Sequence, residues 1–401
     1  MEILSGRKIR EIFLDNDNWY NFYNEHKPLI RDAIVENVVK IISCCTDALG
    51  FHLMECPKCG NQRKIPHSCK SKLCSSCGKK ASDQWIKTNL EELPESTWQH
   101  ITFTLPQEFR DFFWCNREIL FDAIFPIPAQ IITEYALKKF IIPGIFVALH
   151  TFGRNMKKNV HFHLSVTLGG LSICLSEWIS DLYIHHVPIK AWWKARVCSV
   201  FRNLYKSGNL ILPPGLRHLK KYASFNSWLD TIYKKDWVVH LSKPSSDHKR
   251  NVEYLGRYIQ RPPIGETRIC DYDGETVEFD FLDHHTGDYQ KEKLPVMEFI
   301  KRLICHIHDK HFKVIRYYNW LSNRSRGKLL PVVRRLLGIE YGKNLIFKVT
   351  WRQMILKIYK EDPVICKSCN CEMILVGYEF PPSINILAAT HNMVAELKAN
   401  V

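Results

Sequence analysis

The sequence predicts an α+β fold in which a central antiparallel sheet with helices is preceded by a small cysteine-rich module. Three observations carry this prediction. Segments of strand-like and helix-like hydrophobicity alternate, without the regular rhythm of parallel strand–helix–strand units. Two apolar runs, Ile145–Phe152 and Val160–Leu168, flank the polar, basic stretch Gly153–Asn159, which reads as a hairpin connection. Ahead of them lie two pairs with C-x2-C spacing, Cys56/Cys59 and Cys74/Cys77.

Each element follows in order. Residues 1 to about 50 read as helical, and Arg31–Ile42 repeats apolar side chains at three- and four-residue spacing. Residues 52–80 form the cysteine-rich module. A helix from Ala81 to Leu93 stops at Pro94, and the strand beginning at His100 is closed by Pro106. A helical stretch spans Glu108 to Lys139. After the hairpin, Gly169-Gly170 is expected to end the second strand. More helix covers about 176–206, and Pro213-Pro214-Gly215 marks a loop. Ser246 or Asp247 caps a helix carrying Tyr254 and Tyr258, which Pro262-Pro263 ends. Short strands, Arg268–Asp271 and Val277–Leu282, join through a turn at Asp273-Gly274. A basic helix (Val296–His308) and a basic loop (Arg324–Lys328) complete the core. The division is 1–95, helical with the cysteine module; 96–330, the central domain; and 331–401, a tail with a second cysteine cluster. No internal repeat, low-complexity segment or heptad seam is present.

The 401 residues carry a formal charge of +15 and a pI near 9.1, which favours a polyanionic partner, most simply nucleic acid. No signal peptide follows Met1, and the longest apolar run, Phe140–Leu149, is interrupted by Pro143 and Gly144 and is too short to cross a bilayer. A soluble cytoplasmic protein without a membrane partner is expected. Of 15 cysteines, eight fall in two tight clusters, which points to zinc in a reducing compartment rather than to a disulfide scaffold.

The first cluster matches structural zinc spacing. Cys56, Cys59, Cys74 and Cys77 are expected to close one tetrahedral site, with Cys69 a fifth candidate and His52 or His67 as substitutes. Basic residues around it, among them Lys58, Arg63, Lys64, Lys70, Lys72, Lys79 and Lys80, suit a nucleic-acid reader. The second cluster, Cys366, Cys369 and Cys371, has one C-x2-C pair and no evident fourth ligand, which leaves zinc and free thiols both open.

His161 and His163 alternate on one strand, so both imidazoles point to one face and can reach one cation. His150, across the hairpin, is the candidate third ligand, with His100 its rival. Tyr254 and Tyr258 are one helical turn apart and can offer two phenolic oxygens to one substrate. Lys249, Arg250, Arg257 and Arg261 surround them with positive charge suited to backbone phosphates, and Lys157 and Lys158 add to it from the hairpin connection.

Taken in order, these motifs resemble the rolling-circle transposases of bacterial insertion sequences with a His-hydrophobic-His metal motif, most closely the insertion sequence ninety-one type. The likeness runs over roughly residues 45–375. It rests on Cys56 to Cys77, Phe103-Thr104-Leu105-Pro106, His150-Thr151-Phe152-Gly153, His161-Phe162-His163, Gly169-Gly170-Leu171 and Tyr254-Leu255-Gly256-Arg257-Tyr258 with Arg261-Pro262. It continues through Phe299-Ile300-Lys301-Arg302 and Phe312–Tyr318 to the late cysteine pair. There are departures: Asn159-Val160 stands where relatives often have histidine and proline, and Lys72-Leu73-Cys74-Ser75 replaces an Arg-His-Cys-Pro run. The resemblance implies a His-hydrophobic-His nuclease-like core that nicks and joins single-stranded DNA at element ends and target through a 5′-phosphotyrosine. Mg²⁺ or Mn²⁺ would sit at the histidines and structural Zn²⁺ at the cysteines. It further implies action at the bacterial nucleoid and leaves a homo-oligomer open. The alternatives are a plasmid replication initiator or relaxase, and a zinc-dependent DNA-binding protein without catalysis.

Overall fold

The computed structural model describes residues 8–259, 262–283, 286–339, 352, 353, 356 and 361–380; inside its helices the side chains of 91, 254, 255 and 257–259 lie outside the description. Helices α1 (Lys8–Leu14), α2 (Asn18–His26) and α3 (Asp32–Ile42) lead into the hairpin β1 (Phe51–Glu55) and β2 (Gln62–Pro66), then the long α4 (Ser75–Glu92). Strand β3 (Trp98–Thr104) is followed by α5 (Arg110–Cys115), α6 (Arg117–Ile124) and α7 (Ile127–Leu137). The hairpin β4 (Ile141–Phe152) and β5 (Lys158–Ser172) comes next, then β6 (Trp178–Ile179), α8 (His186–Lys206), α9 (Tyr222–Lys234), β7 (Val239–Leu241) and α10 (His248–Ile259). The chain continues through β8 (Ile269–Tyr272), β9 (Thr276–Leu282), β10 (Tyr289–Pro295), α11 (Val296–Ile304), β11 (Ile315–Tyr318), α12 (Arg326–Leu336) and β12 (Ile374–Glu379).

The fold is α+β, as expected. The central sheet runs β11-β4-β5-β3-β7, with β6 on β5, and every pairing in it is antiparallel. Alternation along β5 divides the two faces. Phe162, Leu164 and Val166 enter the largest core, with Phe109, Phe112, Ile131, Trp193, Phe201 and Phe225 of the covering helices. His161, His163, Ser165 and Thr167 therefore take the opposite face. That face is covered by a second core that includes Leu93, Trp98, Phe146, Val252, Trp320 and Val333. The N-terminal helices pack with β8–β10 and α11 around a third.

Three expectations need correction. The stretch 108–139 is not one helix: Asn116 leaves helical geometry (φ −133°, ψ 41°), and Pro126 and Pro128 limit a continuous run. Gly169 and Gly170 do not end β5, which runs to Ser172. A Cβ on Gly170 would stand 2.2 Å from the Ile142 carbonyl oxygen, so glycine serves close strand approach rather than termination. The helix expected from 176 begins at His186, because Trp178–Ile179 add a short strand to β5. Arg117–Leu137 is long and apolar enough to cross a membrane, but Leu120, Phe121, Ile131 and Ile132 within it are buried core residues.

Helix α10 begins where the sequence placed it, with the Asp247 carboxylate accepting the Arg250 N–H at 2.9 Å. It packs on α4 through Gly256. Glycine inside a helix costs about 1 kcal/mol relative to alanine, and the reason for it here is contact: a Cβ would fall 2.0 Å from Ile86 Cγ1. Gly256→Val should therefore push the two helices apart and destabilise the fold by about 1–3 kcal/mol. Thermal melts should show this loss, and Ile86→Ala in the same chain should recover part of it; an unchanged melt would refute the close packing.

Candidate functional site

The histidine cluster is built by strand register. His150 on β4 stands directly opposite His161 on β5, and Thr102 on β3 opposite His163. One ring nitrogen from each of His150, His161 and His163 lies within 4.8 Å of the others. His150 and His163 are buried and His161 partly so. Burial pushes the His161 imidazole down to about 4 and His163 well below its usual value, so both are neutral with lone pairs available at neutral pH.

Hydrogen bonds orient the rings. His161 Nδ1 is 2.9 Å from the Asn159 carbonyl oxygen, so this nitrogen carries the proton and Nε2 is left for a ligand. His163 Nδ1 is 3.0 Å from His100 Nε2, and His100 Nδ1 is 3.2 Å from Ser165 Oγ. In the tautomers that leave His163 Nε2 as a donor to a cation, His163 donates to His100 and His100 donates to the serine. His100, the expected rival to His150, thus stands behind the cluster as a hydrogen-bond partner of His163. Three imidazoles on one face are a fitting donor set for a divalent cation with positions left for phosphate oxygens.

Tyr254 and Tyr258 lie one turn apart on α10, on the side of the sheet that carries the histidines; their side chains, like that of Arg257, are outside the described residues, and so is Arg261 altogether. Lys157 and Lys158 lie at the hairpin connection, each with a carboxylate beside it: Glu292 at 3.9 Å and Asp111 at 3.1 Å.

The cysteines regroup. None of the 15 is in a disulfide. Cys74 and Cys77 do not join Cys56 and Cys59; they meet Cys69 and Cys44 in a buried cluster with Sγ–Sγ separations of 3.6–3.8 Å. Cys56 and Cys59 instead meet Cys366 and Cys369, with separations of 3.3–3.6 Å. Four sulfurs around one zinc at ~2.3 Å are about 3.8 Å apart, so both groups have the dimensions of a tetrahedral thiolate site. Cys371 lies outside the second group, its carbonyl accepting the Cys366 N–H at 2.9 Å. His52 and His67 belong to neither group. The late pair, Cys366 and Cys369, is thus completed by two ligands from the early one. Sequence reading passed over Cys44, which follows α3 without a paired neighbour at knuckle spacing. The tail returns along with its cysteines, since β12 pairs with β1.

The two clusters have room for two zinc ions per chain, the first expected from the sequence and the second left open by it. Cys44→Ser and Cys366→Ser should each lower zinc from two to one by elemental analysis, and together should abolish it. Only the first should expose the α3–α4 region to protease, since structural zinc sites supply folding energy directly. A wild-type content of one zinc would refute the regrouping.

Comparison with known proteins fits this geometry. Residues 15–105 match the family described as "Transposase zinc-binding domain", and residues 144–328 match that described as "Putative transposase". The chain is 34% identical over 371 residues to the transposase for insertion sequence element IS801 of Pseudomonas savastanoi pv. phaseolicola, covering 92% of this chain and 89% of that protein. It is 30% identical over 348 residues to "Putative transposase y4qJ" of Sinorhizobium fredii, covering 84% and 85%. No solved structure matches. With its histidine face, its cysteine clusters and a match that spans nearly the whole length of a relative, the chain belongs to this family of insertion-sequence transposases, with a zinc-binding module at its N-terminal end.

Proposed function

We propose that the protein nicks and joins single-stranded DNA through a 5′-phosphotyrosine during rolling-circle transposition of an insertion sequence. The observation that carries this is the placing of a helix with two tyrosines one turn apart on the sheet face that bears His150, His161 and His163. Tyr254 or Tyr258 attacks the scissile phosphorus with its phenolic oxygen. The new bond is tyrosyl O–P, the bond broken is P–O3′, the phenolic proton passes to solvent, and the departing 3′ oxygen takes up a proton. The phosphotyrosine keeps the energy of the phosphodiester, so a 3′-OH can reverse the step on another strand without a nucleotide cofactor.

His150, His161 and His163 would hold the cation, and Mg²⁺ or Mn²⁺ bound there supplies charge stabilisation to the phosphate oxygens. Three imidazoles favour Mn²⁺, while cellular abundance favours Mg²⁺. His100 and Asn159 keep the rings in the ligating tautomer. A second tyrosine allows one strand to stay attached while another is cut. The zinc module and the basic surface bind the element's ends, and the protein works on bacterial cytoplasmic DNA.

The test is a suicide single strand from the ends of the encoding element, incubated with Mn²⁺ and run on a denaturing gel. A covalent adduct whose tryptic peptide carries Tyr254 or Tyr258 is expected. A native-gel shift without an adduct would favour a binding protein and sink the reading.

A further inference from the structure

Beside the histidine cluster lies a cavity of about 410 Å³, a size suited to a small ligand. Its walls come from distant parts of the chain. One is the segment Lys70-Ser71-Lys72-Leu73, which joins Cys69 to Cys74 of the first zinc cluster. Another is the end of β4, including His150 and Phe152, and a third is the segment from His306 to Phe312. His150 thus belongs both to the cavity wall and to the three-histidine cluster.

The cavity lining carries more positive than negative charge. Its two carboxylates already serve the chain's own cations. Glu36 holds Lys40 at 2.6 Å, and Asp309 holds Arg31 and, at 3.8 Å, Arg117. The exposed Lys70, Lys72 and Lys310 also line it, and none of them is in an ion pair with another described residue. Between these cations are apolar surfaces. Phe152 and Phe312 are half-buried at the wall, and Phe312 is stacked with His308 at 4.6 Å. Lysines for phosphates beside aromatic faces for a base are the combination that single-stranded nucleic acid requires.

We infer that this cavity is a nucleotide subsite of the DNA strand. It seats the nucleotide adjoining the scissile phosphate, with its flanking phosphates on Lys70, Lys72 and Lys310 and its base against Phe152 or Phe312. The inference rests on the proposed reading of the histidine cluster as the cutting site. It also gives the first zinc cluster a role in the reaction, because that cluster fixes the loop bearing two of the three lysines.

The test measures binding, so it does not depend on cutting. Full-length, zinc-loaded protein is titrated into labelled oligothymidylate without added Mg²⁺ or Mn²⁺ and without chelator across a range of salt, and fluorescence anisotropy is read. The triple variant Lys70→Gln, Lys72→Gln, Lys310→Gln is compared with Lys206→Gln, Lys220→Gln, Lys221→Gln, which alters lysines outside the cavity. Loss of two phosphate contacts should reduce the slope of log affinity against log salt by about 1.4 and weaken binding roughly twentyfold at ~0.1 M salt. The control should change far less. Zinc content and melting temperature equal to wild type exclude misfolding, and Lys72→Gln alone repeats the test if the triple variant is unstable. In a second measurement, 5-iodouracil is placed at successive positions of an element-end strand and irradiated. Crosslinks to peptides carrying Phe152 or Phe312 are expected only next to the cut position. Equal slopes for the cavity variant and the control, or crosslinks confined to other peptides, overturn the subsite. If wild type never forms a covalent adduct, the cutting reading fails instead, and the salt slope still decides whether the cavity holds the strand.

Discussion

With His161 and His163 both changed to alanine, strand nicking in Mn²⁺ should fall by about a thousandfold or more, while affinity of the zinc-loaded protein for the same single strand without added Mg²⁺ or Mn²⁺ stays within about twofold of wild type. The size follows from the chemistry. A cation on the phosphate oxygens supplies several kcal/mol of transition-state stabilisation, and each 1.4 kcal/mol is tenfold in rate. The histidines project from a rigid central strand whose other face is core, so their removal leaves the fold standing. A graded companion sharpens the test. His100→Ala removes the nearer partner of His163 Nδ1, 3.0 Å away, and leaves Thr102 Oγ1 at 3.4 Å. It should cost about 10–100-fold in metal affinity, and raised Mn²⁺ should restore much of the rate. If the double variant cuts at the wild-type rate, the histidine face is not the metal site. If His100→Ala cannot be rescued by metal, His100 does something other than orient His163.

The second large effect belongs to α10. Tyr254→Phe with Tyr258→Phe removes two phenolic oxygens and keeps both rings, so whatever packing the rings provide is retained. Covalent adduct on a suicide strand should drop to background, with no change in zinc content and little in melting temperature. The single variants then separate the roles. Where both tyrosines act in turn, each single variant still forms one adduct but fails to transfer the strand onward. Where one acts alone, its loss reproduces the double variant. Adduct that persists in the double variant would assign the nucleophile elsewhere.

The histidine face was legible because period-two alternation needs only the local sequence. Once Phe162 and Leu164 are assigned to the core, His161 and His163 must share the other side, and a hairpin brings His150 opposite His161. The cap at Asp247 was legible for the same reason, since its partner is three residues away. What failed was long-range. Gly170 looks like a terminator unless the Ile142 carbonyl is known to lie beside it. A C-x2-C pair states that half a site exists but not which half completes it. Nearness in sequence favoured joining Cys56 with Cys74, whereas the fold joins Cys56 to Cys369, 313 residues away. His100 was recognised as near the metal face, but its rank behind His163 depends on ring orientation, which spacing does not encode.

The closure of the second cysteine cluster has a consequence for the timing of synthesis. Cys56 and Cys59 leave the ribosome early, and their partners Cys366 and Cys369 leave more than three hundred residues later. Until residue 366 is made the early pair has no mates. A chain released before residue 369 would carry the histidines, the tyrosines and the first cluster, yet leave β1 without β12 and two thiols open to adventitious metals or oxidants. The pairing of β1 with β12 and the closing of this cluster can therefore form only after residue 379 has been made.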